Sequence, residues 1–310
     1  MIRRLLIFAL LSVTTVNLSA DQDTLKFEGF KQPISMQWNG RTGDLQRSLN
    51  FCIRLDNHTK FPIPSKIDFS VIRYTLKLLD LNSGAQEFAA RQGNSTIPLE
   101  LTLTGHGRSE TIRQGQETSL IDGDTFCNGP GNNLRLGIKA QNLDTIPAGV
   151  YIARIRVVAS NNSFSIASDQ NLELTIRIPK LISIHGDKQI SLGTFSHRDL
   201  KKTAHLCVYR NGQGEYNLKA EALNTRNNRF ELNQQGKTSY LPYQVNIKPK
   251  NALSRKVTPN TPVKYLQSSK SVDCREGSNL AVEVIIPKNY AEKAYAGSYN
   301  GQLKITVEVQ

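Results

Sequence analysis

After its first twenty positions the sequence has no run approaching 18 uncharged apolar residues, so the body of the chain holds no ordinary membrane-spanning helix. No block of five or six like charges forms an interaction tail. The 12 Pro and 21 Gly, against an apolar fraction of 38%, exclude a coiled coil, a collagen-like chain and a wholly disordered one. No Cys-x-x-Cys pair occurs, and no His stands at ligand spacing from any of the four cysteines, so a zinc site is not expected. His58, His106, His185, His197 and His205 are scattered. There is no Gly-x-Ser-x-Gly. Gly129-Pro130-Gly131 lacks the Lys-Ser/Thr that a phosphate loop needs and reads as a turn. No carboxylate pair can be set at hydrolytic separation. These absences describe a non-enzyme with no metal and no cofactor.

Acid is also scarce. Asp and Glu number 26 against 39 Lys and Arg, a formal charge of +13. Such a balance admits nucleic acid, anionic lipid or acidic glycan as partner and selects none of them. At about 100–200 residues per domain, 310 residues suggest two domains.

Residues 1–20 read as a secretory signal peptide. Arg3 and Arg4 form the charged start, Leu5 to Leu11 the apolar core, and Leu18-Ser19-Ala20 the small-residue end. The expected mature protein is soluble, begins near Asp21 and is exported, which disfavours nucleic acid as partner. Export places Cys52, Cys127, Cys207 and Cys274 in an oxidising compartment, where disulfides persist.

Four cysteines allow three pairings, and an internal repeat selects one. The strand Ser48–Leu55 carries Cys52, and the strand Thr203–Arg210 carries Cys207 at a matching place. A second cysteine follows 75 residues later in the first copy and 67 later in the second. Ala148-Gly149-Val150-Tyr151 then lies 21 residues beyond Cys127, and Ala296-Gly297-Ser298-Tyr299 lies 22 beyond Cys274. Matched positions should carry matched bonds, so Cys52–Cys127 and Cys207–Cys274 are expected.

The periodicity is that of strands. Tyr299, Leu303, Ile305, Val307 and Val309 fall on one face, and Lys304, Thr306 and Glu308 on the other, without a break. Short alternating runs separated by Asn, Gly, Pro and Ser recur in both halves, and Asn289 to Tyr295 reads as a helical turn at most. The expectation is all-β: two immunoglobulin-like antiparallel β-sandwiches over residues 21–178 and 182–310, divided near Ile178-Pro179-Lys180. The copies end differently. In the first, the Ala-Gly-Val-Tyr strand runs to about Val158. A polar turn over Ala159 to Asp169 follows, then a further strand with Leu172, Leu174, Ile176 and Ile178 inward. By comparison the second sandwich lacks its last strand. A sandwich short of a strand exposes an apolar groove and an unpaired edge, which a partner's strand can fill. Leu303, Ile305, Val307 and Val309 should line one wall of that groove, with Ile190 and Leu192 on the opposite edge.

The second half also resembles a chaperone–usher pilin domain. The residues that carry the likeness are the Leu206-Cys207-Val208-Tyr209 strand, Tyr240–Val245 as a central strand, Cys274, and the closing Ala296–Val307 segment. An Ala/Gly-x-Tyr followed by an alternating strand recurs in colonisation-factor-type minor pilins and in spore-coat-U-like subunits of archaic pili. The two-domain layout is similar to their tip subunits, also called pilus-biogenesis initiators. The resemblance implies an N-terminal adhesin sandwich and a C-terminal pilin domain awaiting a donor strand. The partners it implies are a periplasmic chaperone, an outer-membrane usher, the adjacent pilin subunit and a host or surface receptor, an anionic glycan among the candidates. The implied location is the pilus tip. With no spare alternating strand ahead of the first half, the chain is expected to accept a strand without donating one.

Two other readings compete. A periplasmic assembly chaperone also has two immunoglobulin-like domains, but a disulfide in each half and an incomplete second domain speak against it. A secreted carbohydrate-binding protein unrelated to pili would have a self-complete second domain. Basic residues crowd the first half, Arg54, Arg73, Arg91, Arg108, Lys139, Arg154 and Arg156 among them, and polar-out alternation accounts for them as solvated strand faces. Colonisation-factor adhesins carry a basic cluster just after the strand matching Tyr151–Val158. Here that place reads Ala159-Ser160-Asn161-Asn162, so no receptor-binding residue is carried over.

Overall fold

A computed structural model describes residues 24–309 of the chain, apart from residue 42 and residues 57–72, 83–85, 106–107, 123–126, 128–130, 162–165, 224 and 226–227. The expected signal peptide, His58, His106 and the Gly129-Pro130 turn lie outside the described residues.

The first half opens with β1 (Thr24–Glu28), β2 (Ile34–Gln37), β3 (Leu45–Asp56), β4 (Arg73–Asp80), β5 (Ala89–Gln92) and β6 (Ser95–Pro98). It continues through β7 (Glu100–Gly105), β8 (Arg108–Ile112), β9 (Ile121–Asp122), β10 (Asn132–Ile138), the helical turn α1 (Ala140–Leu143), β11 (Gly149–Asn161) and β12 (Ile166–Ile178). The second half opens with β13 (Ile182–Gly186), β14 (Leu200–Arg210), β15 (Glu215–Leu223), β16 (Glu231–Gln234), β17 (Tyr240–Pro242) and β18 (Gln244–Pro249). It closes with β19 (Arg255–Lys256), β20 (Val263–Gln267), β21 (Leu280–Ile286), the helical turn α2 (Lys288–Ala291), β22 (Tyr299–Asn300) and β23 (Gln302–Val309).

Alternation along these segments puts every second side chain inside. Leu134, Leu136 and Ile138 of β10 are buried, and so are Leu280, Val282, Val284 and Ile286 of β21. The fold is all-β, two immunoglobulin-like sandwiches. One sheet of the first runs β1-β3-β10-β7-β8, and its counterpart in the second runs β13-β14-β21-β18-β19, the same order. The duplication read from the cysteines is thus a duplication of topology. Even the corners match. β1 and β13 each give way to a glycine turn, Gly29 at φ +76° and Gly186 at φ +138°. A side chain on Gly186 would run into the backbone of His205 and Leu206. The Ala-Gly-x-Tyr motif is explained in the same terms. Tyr151 Oη donates to the Pro147 carbonyl at 3.0 Å and Tyr299 Oη to the Tyr295 carbonyl at 2.9 Å, each four residues upstream. Both are tyrosine corners at the start of equivalent strands.

Cys52 is bonded to Cys127 and Cys207 to Cys274. Non-reducing peptide mapping of exported protein should recover these two linked peptides. A peptide joining Cys127 to Cys207 would overturn the matched-copy argument.

Four local features depart from the alternation. β11 runs to Asn161 rather than stopping near Val158, because the Asn161 amide donates to the Arg73 carbonyl at 2.7 Å and holds polar residues in the ladder. Of the expected polar turn, Ala159 to Asn161 and Ile166 to Asp169 are strand, and residues 162–165 lie outside the described residues. The run Tyr240–Val245 is two strands in different sheets. Pro242 has no N–H to continue the ladder, and Tyr243 stacks on Phe230 with ring centres 5.5 Å apart while the chain changes sheet. The closing segment breaks at Gly301, where β22 pairs with β16 and β23 with β15. A side chain there would meet the Leu232 side chain, which would have to shift. The turn α1 has no counterpart in the alternation pattern.

The halves are joined through Pro179, Lys180 and Leu181. Asn211 of the second half grips this linker: its side-chain amide donates to the Pro179 carbonyl at 2.8 Å, and its side-chain oxygen accepts from the Leu181 N–H at 3.0 Å. Tyr209 of β14 is fully buried, and its ring belongs to the core of the first sandwich. Its hydroxyl donates to the Asp144 carbonyl at 2.9 Å, and burial pushes the phenol above its ordinary range, with the Asp144 charge adding to the effect. The Asp144 carboxylate lies 3.1 Å from Arg275, one residue past Cys274. β11 therefore starts beside the second sandwich and ends at the opposite pole of the first.

Candidate functional site

The second sandwich is open along one side. Its sheet β20-β15-β23 ends at β23, which pairs with β15 alone. The equivalent position in the first sandwich is β11, and there the sheet continues through β12 to β2. β12 makes a thirteen-residue antiparallel ladder with β11 and a short parallel one with β2. Its inward residues Leu172, Leu174, Ile176 and Ile178 are at most 3% exposed. In the second sandwich a groove of 1390 Å³ occupies the corresponding place.

The groove runs between β23 and the stretch 188–196, which forms no strand among the described residues. Ile190 and Leu192 line one wall, Leu303 and Ile305 the other, all four half-buried. Leu206, Val282 and Val284 of the buried core form the floor. Val307 packs half-buried against the same core without lining the groove, and Val309 lies past its end. The opposite face of β23 is polar, with Lys304 Nζ 2.6 Å from Glu221 on β15. Tyr295 and Ala294, after α2, close one end of the groove, and sequence patterning did not single them out. Their irregular loop has no period to read, although the matched Ala-Gly-x-Tyr ending could have drawn attention to the residues just before it.

The wall exposures set the two sandwiches apart. The matching row on β11, Tyr151, Ala153, Ile155 and Val157, is no more than 1% exposed, because β12 covers it. The row on β23 stays half in solvent because no described strand lies beside it. The groove is thus an apolar channel whose walls stay partly in solvent, and the outer edge of β23 has no strand partner among the described residues.

Elsewhere several strand-face charges are paired. Arg54 pairs with Glu28 at 2.5 Å, Arg91 with the buried Asp80 at 3.0 Å, Arg154 with Glu173 at 3.2 Å and Arg156 with Asp169 at 2.8 Å. Lys139 reaches Glu100 at 3.2 Å. On these strand faces of the first sandwich, basic side chains stand next to acidic ones. Among the described residues no group of three or more His, Cys, Asp or Glu could hold a metal ion.

No family model matches the sequence, and neither does any curated protein. Solved structures do. The chain is similar to the archaic chaperone–usher Csu pili pre-assembly complex CsuC–CsuE, of chaperone and tip adhesion subunit, from Acinetobacter baumannii. That match has 16% identity and a TM-score of 0.45, and covers 90% of this chain and 97% of that one. It is similar to the CupB6 tip adhesin of Pseudomonas aeruginosa at 10% identity and a TM-score of 0.41, with 92% and 94% covered. It is also similar to the CFA/I adhesin CfaE of enterotoxigenic E. coli at 13% identity and a TM-score of 0.37, with 90% and 94% covered. The likeness is one of overall fold.

Proposed function

We propose that this chain is a pilus tip adhesin and assembly initiator. Its first sandwich binds a host or surface receptor, and its second accepts a donor strand. The observation that carries the reading is internal to the molecule: one sandwich is closed by β12, and its topological twin is open along the same line. The occupant is a strand from a periplasmic chaperone, replaced at the outer-membrane usher by one from the adjacent pilin subunit. By analogy with β12, the pilin strand would run antiparallel to β23 and parallel to the stretch 188–196.

The test is to append that pilin donor segment to the C-terminus through a flexible linker and compare melting temperatures. Each buried aliphatic side chain is worth about 1.5–3 kcal/mol. Part of that is offset by ordering the strand, and a net gain of a few kcal/mol raises the melting point of a domain this size by ~10 °C or more. An unchanged melting point would mean the second sandwich is complete as it stands, and the assembly role would fall. The adhesin half is tested separately, by measuring receptor binding of the strand-complemented chain itself.

A further inference from the structure

At the pole of the first sandwich opposite the second lies a pocket of 340 Å³, the low end of the range for small-ligand sites. It sits where four strands begin or end: Arg73 opens β4, Gly105 closes β7, Arg108 opens β8 and Asn132 opens β10. Asn132 is 2% exposed. Its side-chain amide donates to Tyr74 Oη, and its side-chain oxygen has no partner among the described residues. If the amide is turned round, its nitrogen is left unpaired instead. That oxygen is itself buried and lies against Gly105, so Asn132 belongs to the floor of the opening without offering the oxygen to it.

The rest of the lining is balanced in charge. Arg73 is already paired with Asp122 at 3.1 Å. Glu110 accepts from the Ser119 N–H through one oxygen at 3.1 Å, leaving its other oxygen, like the second oxygen of Asp122, without a partner among the described residues. Arg108 has none either. Leu120, 56% exposed, supplies an apolar ledge. An anion would meet two carboxylates for one uncommitted cation. A neutral pyranose fits better. Its hydroxyls donate to the carboxylate oxygens of Glu110 and Asp122 and accept from Arg108, while its C–H face rests on Leu120.

We infer that this pocket binds a single neutral hexopyranose unit, the terminal sugar of a glycan. The inference rests on the reading of the first sandwich as the receptor-binding half. The experiment titrates the full chain with methyl α-mannopyranoside, methyl β-galactopyranoside, methyl β-glucopyranoside and N-acetylneuraminic acid, up to 20 mM each, following saturation-transfer NMR and calorimetry. At least one neutral glycoside should bind. Glu110→Gln and Leu120→Ser, both on the rim, should each weaken that binding tenfold or more with unchanged circular dichroism. Binding of N-acetylneuraminic acid alone, of no probe, or of a neutral glycoside undiminished by both variants overturns the assignment. Pili carrying the two variants separate this from the broader reading. Adhesion that survives them removes the pocket and leaves the adhesin, whereas adhesion that survives loss of the whole chain removes the adhesin reading itself.

Discussion

Ile305→Asp is expected to abolish capture of this chain by its chaperone, while Thr306→Asp leaves capture nearly intact. The two positions are neighbours on β23 and differ in the face they present. Ile305 lines the groove, opposite Ala220 in the ladder with β15. Thr306 lies outside the groove lining, next to Lys304, which is paired to Glu221 on the polar face. A donor strand laid over an ionised aspartate at 305 would bury it among the apolar side chains of the groove, Ile190 and Leu192 included. An uncompensated buried charge costs several kcal/mol, enough to cancel what two or three apolar contacts contribute. Co-purification from the periplasm measures the outcome. If both variants are captured equally, the groove is not where the partner binds.

The second large effect is expected at the junction. Tyr209→Ala should destabilise the first sandwich although the residue belongs to the second. Its ring is fully buried in the first core, and removing a buried aromatic ring costs about 3–5 kcal/mol. Tyr209→Phe keeps the ring and loses only the bond to the Asp144 carbonyl, for about 0.5–1.5 kcal/mol. In calorimetry the alanine variant should lower the transition of the first sandwich well below that of the phenylalanine variant. Residues 21–177 expressed alone leave Tyr209 out and should likewise melt lower than the same sandwich in the full chain. A Tyr209→Ala protein that melts like the unaltered one would show that the halves do not share a core.

Tyr209 also shows where the sequence stops being informative. It sits in an alternating strand beside Cys207 and reads like any inward residue of its own sandwich. Nothing local signals that it crosses into the neighbour, because that depends on how two complete domains meet. The same limit hides Asn132, whose missing partner is set by the approach of β4, β7 and β8 from far along the chain. By contrast the wall residues Ile190, Leu192, Leu303 and Ile305 were legible, since a two-residue period assigns a face without knowledge of distant contacts. Val309 had the right parity and still lies beyond the groove, because parity gives the face and not the length of the opening. Gly301 and Tyr243 misled for a related reason. A strand that changes sheet keeps its alternation, so the break has no periodic signature.

The way the first sandwich is closed has a mechanical consequence. β12 is bonded along one side to β11 and on the other to β2, and its end at Ile178 leads directly into the linker. A molecule held at the far pole and pulled through the second half would feel tension along the axis of β12. The ladder bonds would then be loaded in shear, many at once, instead of peeling one after another from an end. Asn211 and Tyr209 brace the point where that tension enters. The strand that completes the first core is therefore also its tether, anchored for its full length in the element it would have to leave for the domain to come apart.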